Sequence, residues 1–254
     1  MKYIGMPAGM WLLFGRSFQK NLTSVLGYNK ETAKDSAAKA KKKYKEIIAS
    51  LPAFERGDIF LMNIVNCAMF SAFCLNLPDM QPIEKMTDFY RDSMMTGAMK
   101  WFCRQGGRKK FGRKDVDKMK RTAALKAADR NKYSWNMEYL PYPDGSGYEA
   151  RFDKCGICTL MTELGLKEYI PAMCRLDYTM SEAGGADVFV REYTLASGGP
   201  YCDCGYKKKG SSYFCVCGNQ YSNGFLIRSD RFYLPSPRGE GGQSPTFLMS
   251  AKAG

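Results

Sequence analysis

The sequence contains no histidine. That absence removes Ser-His-Asp and Cys-His catalysis together with every imidazole metal site, leaving Asp, Glu, Cys, Lys and Tyr for acid, base and ligand work. Acidic side chains are also scarce: 25 Asp and Glu face 38 Lys and Arg, a net charge of +13. Such a balance permits a nucleic-acid partner, yet there is no helix-turn-helix, zinc-finger or stacking motif. In the most basic stretch, RQGGRKKFGRKDVDKMKR (residues 104–121), aromatic residues are not interleaved with the cations. It reads as a basic loop beside an anionic small-molecule site or as a solvated surface, and no nucleic-acid partner is expected. The opening residues MKYIGMPAGMWLLFGR have a weak charged region, a short apolar run and no clear cleavage site. They do not read as a secretory signal, so the ten cysteines are expected as reduced thiols in a cytoplasmic chain. One uncharged run, residues 59–77, is long enough to span a bilayer. Asn63, Asn66 and Asn76, and the lack of a second span, make it a buried core helix instead.

What is present can be taken in order. Residues 1–29 give only scattered apolar side chains. Residues 31–50 are rich in Ala and Lys and predict a helix with a solvated basic face, ended by Pro52. Pro82 opens a helix expected to run unbroken to Gly106 and Gly107, with Ile83, Met86, Tyr90, Met94 and Trp101 on its core side. A basic helix follows to about Arg130. Residues 133–140 predict a strand, PYPDGSG (141–147) a turn, and a second strand runs into Phe152. The expected class is α+β, with N-terminal helices packed on an antiparallel sheet formed mainly by the C-terminal half. Residues 1–130 form the helical part and 131–206 the part carrying the motifs, expected as one domain. Residues 207–254 are a cysteine-containing tail rich in Pro, Gly and Ser, expected to be disordered.

Residues 151–206 hold five cysteines. Asp153 is the expected N-cap of a short helix with Ile157, Leu160, Met161 and Leu164 on one face and Gly165 behind it. Pro171 starts a second helix, stopped by Gly184 and Gly185, on which Cys174, Asp177, Tyr178 and Ser181 share a polar face. Residues 188–195 and 201–206 read as strands joined by Ser-Gly-Gly-Pro. Alternation along the second sends Cys202 and Cys204 one way and Asp203 the other, so one site uses the thiols or the carboxylate. Cys155 and Cys158 have metal-ligand spacing, and Cys202, Cys204, Cys215 and Cys217 form two C-x-C pairs. Zinc is the metal that such a set would take.

The pattern C-x-x-C (155–158), E-L-G-L (163–166), P-A-M-C-x-L-D-Y (171–178) and R-x-Y-T-L-A-S-G-G-P-Y-C-D-C (191–204) resembles the L-2-amino-thiazoline-4-carboxylic acid hydrolase family. The resemblance covers residues 139–206 well and the helical part loosely; Gly205 departs from the His or aromatic residue often found there. It implies a hydrolase that opens a small cyclic amidine, 2-amino-thiazoline-4-carboxylate, to a carbamoyl-cysteine on the way to cysteine. The partner implied is a small-molecule substrate, with neither nucleic acid nor membrane.

Such a reaction needs a carboxylate for the amidinium, a base for water, an acid for the leaving atom and a cation for the substrate carboxylate. Asp177 is the candidate for the first two roles, with Tyr178 as proton donor, Asp203 as a second carboxylate and Arg191 as the clamp. Thr194 and Cys202 complete the expected substrate-binding set. Cys174 offers a nucleophilic route if the helix dipole and Arg175 lower its pKa. Each has a structural alternative: Asp177 as a cap or ion pair, Arg191 as a sheet brace, Cys174 as a small buried hydrophobe. A non-enzymatic small-molecule module and a zinc-binding module on the same fold remain as alternative functions.

Overall fold

The computed structural model describes residues 7–55 and 57–211, all within one compact unit. The tail expected from residue 207 starts later, since Lys207 and Lys208 continue the last strand; Cys215, Cys217 and the rest of that tail lie outside the described residues after Ser211. The N-terminal residues that predict little form a helix, α1 (Pro7–Ser24), because Met10, Phe14, Phe18 and Leu22 recur every four residues and bury one face. Helix α2 (Lys30–Ser50) starts at Asn29, whose side chain accepts the Thr32 amide at 2.8 Å. It buries Ala33, Ala37, Ala40, Tyr44 and Ile47 and leaves its lysines outward. The uncharged run becomes α3 (Leu61–Cys74), in which Ile64, Val65, Ala68, Met69, Phe70 and Phe73 are fully buried. Among the described residues no helix is long and apolar enough to cross a membrane.

The expected single helix after Pro82 is two. Helix α4 (Ile83–Met94) stops at Met95, and Thr96 caps α5 (Gly97–Gly107) by accepting the Met99 amide. The break rotates the second half, so Trp101, expected in the core, stays 58% exposed. Helix α6 (Arg113–Lys126) ends short of Arg130, and at its end the Lys126 side chain turns inward to Asp58, Asp129 and Ser134.

The sheet is antiparallel, in the order β1 (Glu138–Pro141), β2 (Gly147–Phe152), β4 (Cys202–Lys208), β3 (Asp187–Val190). Cα register pairs Ala150 with Cys204 and Phe152 with Cys202. Two expected strands shorten and one expected cap fails. Residues 133–137 are not strand; Trp135 there is buried and stacked on Phe60. β3 ends at Val190 rather than Leu195, because the Asp203 carboxylate takes the amides of Glu192 (2.8 Å) and Tyr193 (2.6 Å) that a ladder would need. Asp153 does not cap α7 (Gly156–Glu163): Cys155 holds the N-cap position, and Asp153 accepts from Asn136 instead. Helix α8 (Ile170–Gly184), with Pro171 in its first turn and Gly185 left-handed behind it (φ 76°), packs between α4, α5 and β3.

Candidate functional site

Arg191 follows β3 directly, and its side chain is only 6% exposed. Its Nη2 donates to Asp177 Oδ2 at 2.5 Å and to Cys204 Sγ at 2.9 Å, and its Nη1 donates to the Cys174 carbonyl at 3.0 Å. The guanidinium lies 4.6 Å from the centre of the Phe189 ring, and its Nε has no hydrogen-bond partner. A buried cation is tolerated only with such partners, so one side chain gathers two residues of α8 and one of β4.

Burial pushes the Cys174 thiol well above its usual pKa and Cys204 up to about 12, with Arg191 opposing in both. The expected lowering of Cys174 is therefore reversed: desolvation outweighs the cation beside it. Cys202, also pushed up by burial, receives the Leu195 amide at 3.2 Å. As alternation requires, Asp203 faces away and ties down the backbone at Glu192 and Tyr193. Thr194 caps the following turn, its Oγ1 accepting the Ser197 amide at 3.1 Å. Tyr178 stands edge-on to Phe189 at 4.8 Å and is 40% exposed.

Asp177 also lines a cavity of about 320 Å³ beside α5, α8 and the sheet. Lys110, Asp115, Tyr148, Asp187 and Tyr206 contribute polar groups to it. Its wall depends on glycine: a Cβ on Gly107 would lie 2.1 Å from the Gly184 carbonyl, so α5 and α8 touch backbone to backbone. Lys110 is the residue that sequence reasoning missed. Its side chain is 19% exposed, with Nζ 3.5 Å from Asp187 Oδ2 and 3.4 Å above the Tyr206 ring. Burial lowers its pKa, with Asp187 opposing. The reading of this stretch as a basic loop near a small-molecule site was the available signal; which of its cations turns inward is not readable from composition. A wider groove of about 610 Å³, bounded by Met137, Tyr139, Arg151 and Tyr201, includes none of the expected site residues.

The C-x-x-C pair sits at the start of α7. Gly156 is required there, since a Cβ would lie 2.0 Å from the Tyr133 carbonyl. The Cys158 thiol lowers the Cys155 pKa against burial, and the nearby amides and the Trp135 indole add to the effect. Among the described residues no three or more Cys, Asp or Glu side chains are arranged to hold a metal ion.

Gly205 sits in a tightly filled place. A Cβ there would meet the Tyr142 hydroxyl at 2.3 Å and Val190 Cγ2 at 2.6 Å, so these two side chains occupy the space of a larger residue.

No curated protein and no solved structure matches the chain. A family model described as L-2-amino-thiazoline-4-carboxylic acid hydrolase matches residues 62–206, more than half of the 254. The matched stretch contains Arg191, Asp177, the motif cysteines up to Cys204 and every residue lining the 320 Å³ cavity. Motifs, architecture and match agree: the chain belongs to the L-2-amino-thiazoline-4-carboxylic acid hydrolase family.

Proposed function

We propose that the protein hydrolyses a small cyclic amidine, 2-amino-thiazoline-4-carboxylate, to a carbamoyl-cysteine. The observation that carries this reading is the placement of Asp177, a carboxylate fixed by a buried arginine on one side and opening onto a cavity of about 320 Å³ on the other. That volume suits a single five-membered ring. A protonated amidine presents N–H groups to a carboxylate, and Asp177 is the acid positioned to receive them. Water adds to C2 of the ring, the tetrahedral carbon collapses to a carbonyl, and the C2–S bond breaks with a proton passing to sulfur. The product then carries a free thiol and a carbamoyl nitrogen.

Raised pKa values at Cys174 and Cys204 favour water over a thiolate as the nucleophile. In this reading Asp203 and Thr194 shape the loop behind Arg191, and Arg191 orients Asp177 rather than clamping substrate, since its side chain is buried and both of its Nη groups already serve protein atoms. Incubating the purified protein with 2-amino-thiazoline-4-carboxylate, and following ring loss by mass and thiol release by a chromogenic disulfide, tests the proposal. Loss of the ring with one thiol per turnover is expected. Binding without ring opening would replace the hydrolase with a module that only holds its ligand.

A further inference from the structure

The 320 Å³ cavity carries a second charged group whose hydrogen bonding is incomplete. An ammonium has three donors. Around Lys110 the structure places the Asp187 carboxylate at 3.5 Å, long for a hydrogen bond, and the face of Tyr206, which offers a quadrupole but no lone pair directed like an oxygen's. The acids nearby divide their acceptors among several donors. Asp187 Oδ2, the ion-pair partner of Lys110, also accepts the Ser181 hydroxyl at 2.7 Å; Asp115 Oδ2 accepts the Phe111 amide at 2.9 Å and the Tyr148 hydroxyl at 3.1 Å.

The backbone next to Lys110 is held in an unfavourable conformation. Phe111 has φ 63°, the one non-glycine positive φ among the described residues, and its amide is tied to Asp115. A strained residue persists where surrounding contacts over-determine it, and here those contacts hold the loop that presents Lys110 to the cavity. Asp177 lines the same cavity with the opposite charge.

We infer that Lys110 is the carboxylate-binding residue of this cavity, which with Asp177 selects a zwitterion: a ring carrying an amidinium at one edge and a carboxylate at the other. The inference rests on the proposed hydrolase reading and deepens it by naming the group that sets substrate class. Lysine binds a carboxylate as a point charge, so Lys110→Arg should keep part of the selectivity and Lys110→Met should lose it.

The experiment compares 2-amino-thiazoline-4-carboxylate with 2-amino-thiazoline, the same ring without the acid, on the parent, Lys110→Met and Lys110→Arg proteins, with turnover and calorimetric binding measured on each. In the parent the acid-bearing ring should be preferred. Lys110→Met should raise KM for it about tenfold or more, with little change in kcat and little change for the acid-free ring. Undiminished preference for the acid-bearing ring in a folded Lys110→Met protein would overturn the inference, as would equal use of both rings by the parent. If the parent opens neither ring but binds the acid-bearing one in a Lys110-dependent way, the hydrolase reading falls and the zwitterion site stands. If it binds neither, both fall.

Discussion

Asp177 and Arg191 form an ion pair whose two halves live in different environments: Nη2 and Oδ2 are 2.5 Å apart, yet the arginine side chain is 6% exposed and the aspartate 42%. The buried partner is therefore the one that needs the pair. The exposed partner is free to face the cavity.

From this asymmetry, Asp177→Asn should abolish ring opening while costing about 1–2 kcal/mol of stability, reduced from the value for a fully buried pair because water reaches the carboxylate side. Turnover and a urea melt on the same preparation check both parts. Retained turnover would remove Asp177 from the site.

The α5–α8 contact leads to a paired prediction. Gly107→Ala drives a methyl into the Gly184 carbonyl and should cost more than about 2 kcal/mol, and it should also reduce turnover by displacing the cavity wall. At its neighbour Gly106 a methyl would meet nothing within 4 Å, so Gly106→Ala should remain within about 1 kcal/mol of the parent, on the stabilising side. Melting temperatures of the two variants decide the matter; equal losses would contradict the close approach.

Thiol reactivity should single out Cys155. Its pKa is lowered from 9.0, whereas Cys67, Cys74, Cys103, Cys158, Cys174, Cys202 and Cys204 are all raised, chiefly by burial or, for Cys158, by the Cys155 thiol. Brief iodoacetamide treatment followed by peptide mass mapping should find Cys155 labelled first among the described thiols. Its rate should reach half its plateau below pH 9.0, the midpoint for an ordinary thiol. Earlier labelling of Cys174 would return the nucleophile role to that residue.

Acid should act on Asp129, the partner of Lys126. Burial alone would lower this lysine and raise Asp129, but their hydrogen bond, with Asp58 and Ser134 joining it, reverses both. Asp129 is depressed from 3.8, so its contribution is complete above that pH and is lost as pH falls through its folded value. Lys126 is raised from 10.5, so its contribution is complete below that pH and is lost only as pH rises through a higher folded value. Lys126→Met should cost about 3 kcal/mol at neutral pH, because Asp58 and Asp129 lose their cation, and should flatten the fall in stability as pH drops below 3.8. Urea melts across that range measure both effects; an unchanged acid slope would place the sensitivity elsewhere.

Much of the architecture was legible in local pattern. The four-residue recurrence in α2 and the first half of the helix after Pro82, the hairpin turn at 141–147 and the opposite facing of Cys202 and Asp203 follow from periods of 3.6 and 2, which need only neighbours along the chain. Helix α1 was missed because its stripe of Met10, Phe14, Phe18 and Leu22 is blurred by Leu12 and Leu13, which are apolar yet stay exposed while α2, α3 and α4 cover the stripe. The false continuation through Met95 and Thr96 shows the limit of periodicity, since a cap formed by one threonine hydroxyl outweighs a pattern that looked unbroken. The strand expected through Leu195 failed for a related reason: a side chain distant in sequence, Asp203, supplied acceptors that a neighbouring strand would otherwise provide.

By itself the sequence determined the α+β class, the exclusion of imidazole chemistry, the family motifs and the polar face of α8 that carries Cys174, Asp177 and Ser181. Tertiary structure alone decided that Arg191 is spent on Asp177, Cys174 and Cys204, that Lys110 turns into the cavity from a loop of otherwise similar cations, and that Cys155 rather than Cys174 has the lowered pKa. Charge type and spacing are properties of the chain, whereas desolvation and partner choice depend on which distant backbones come close enough to exclude water.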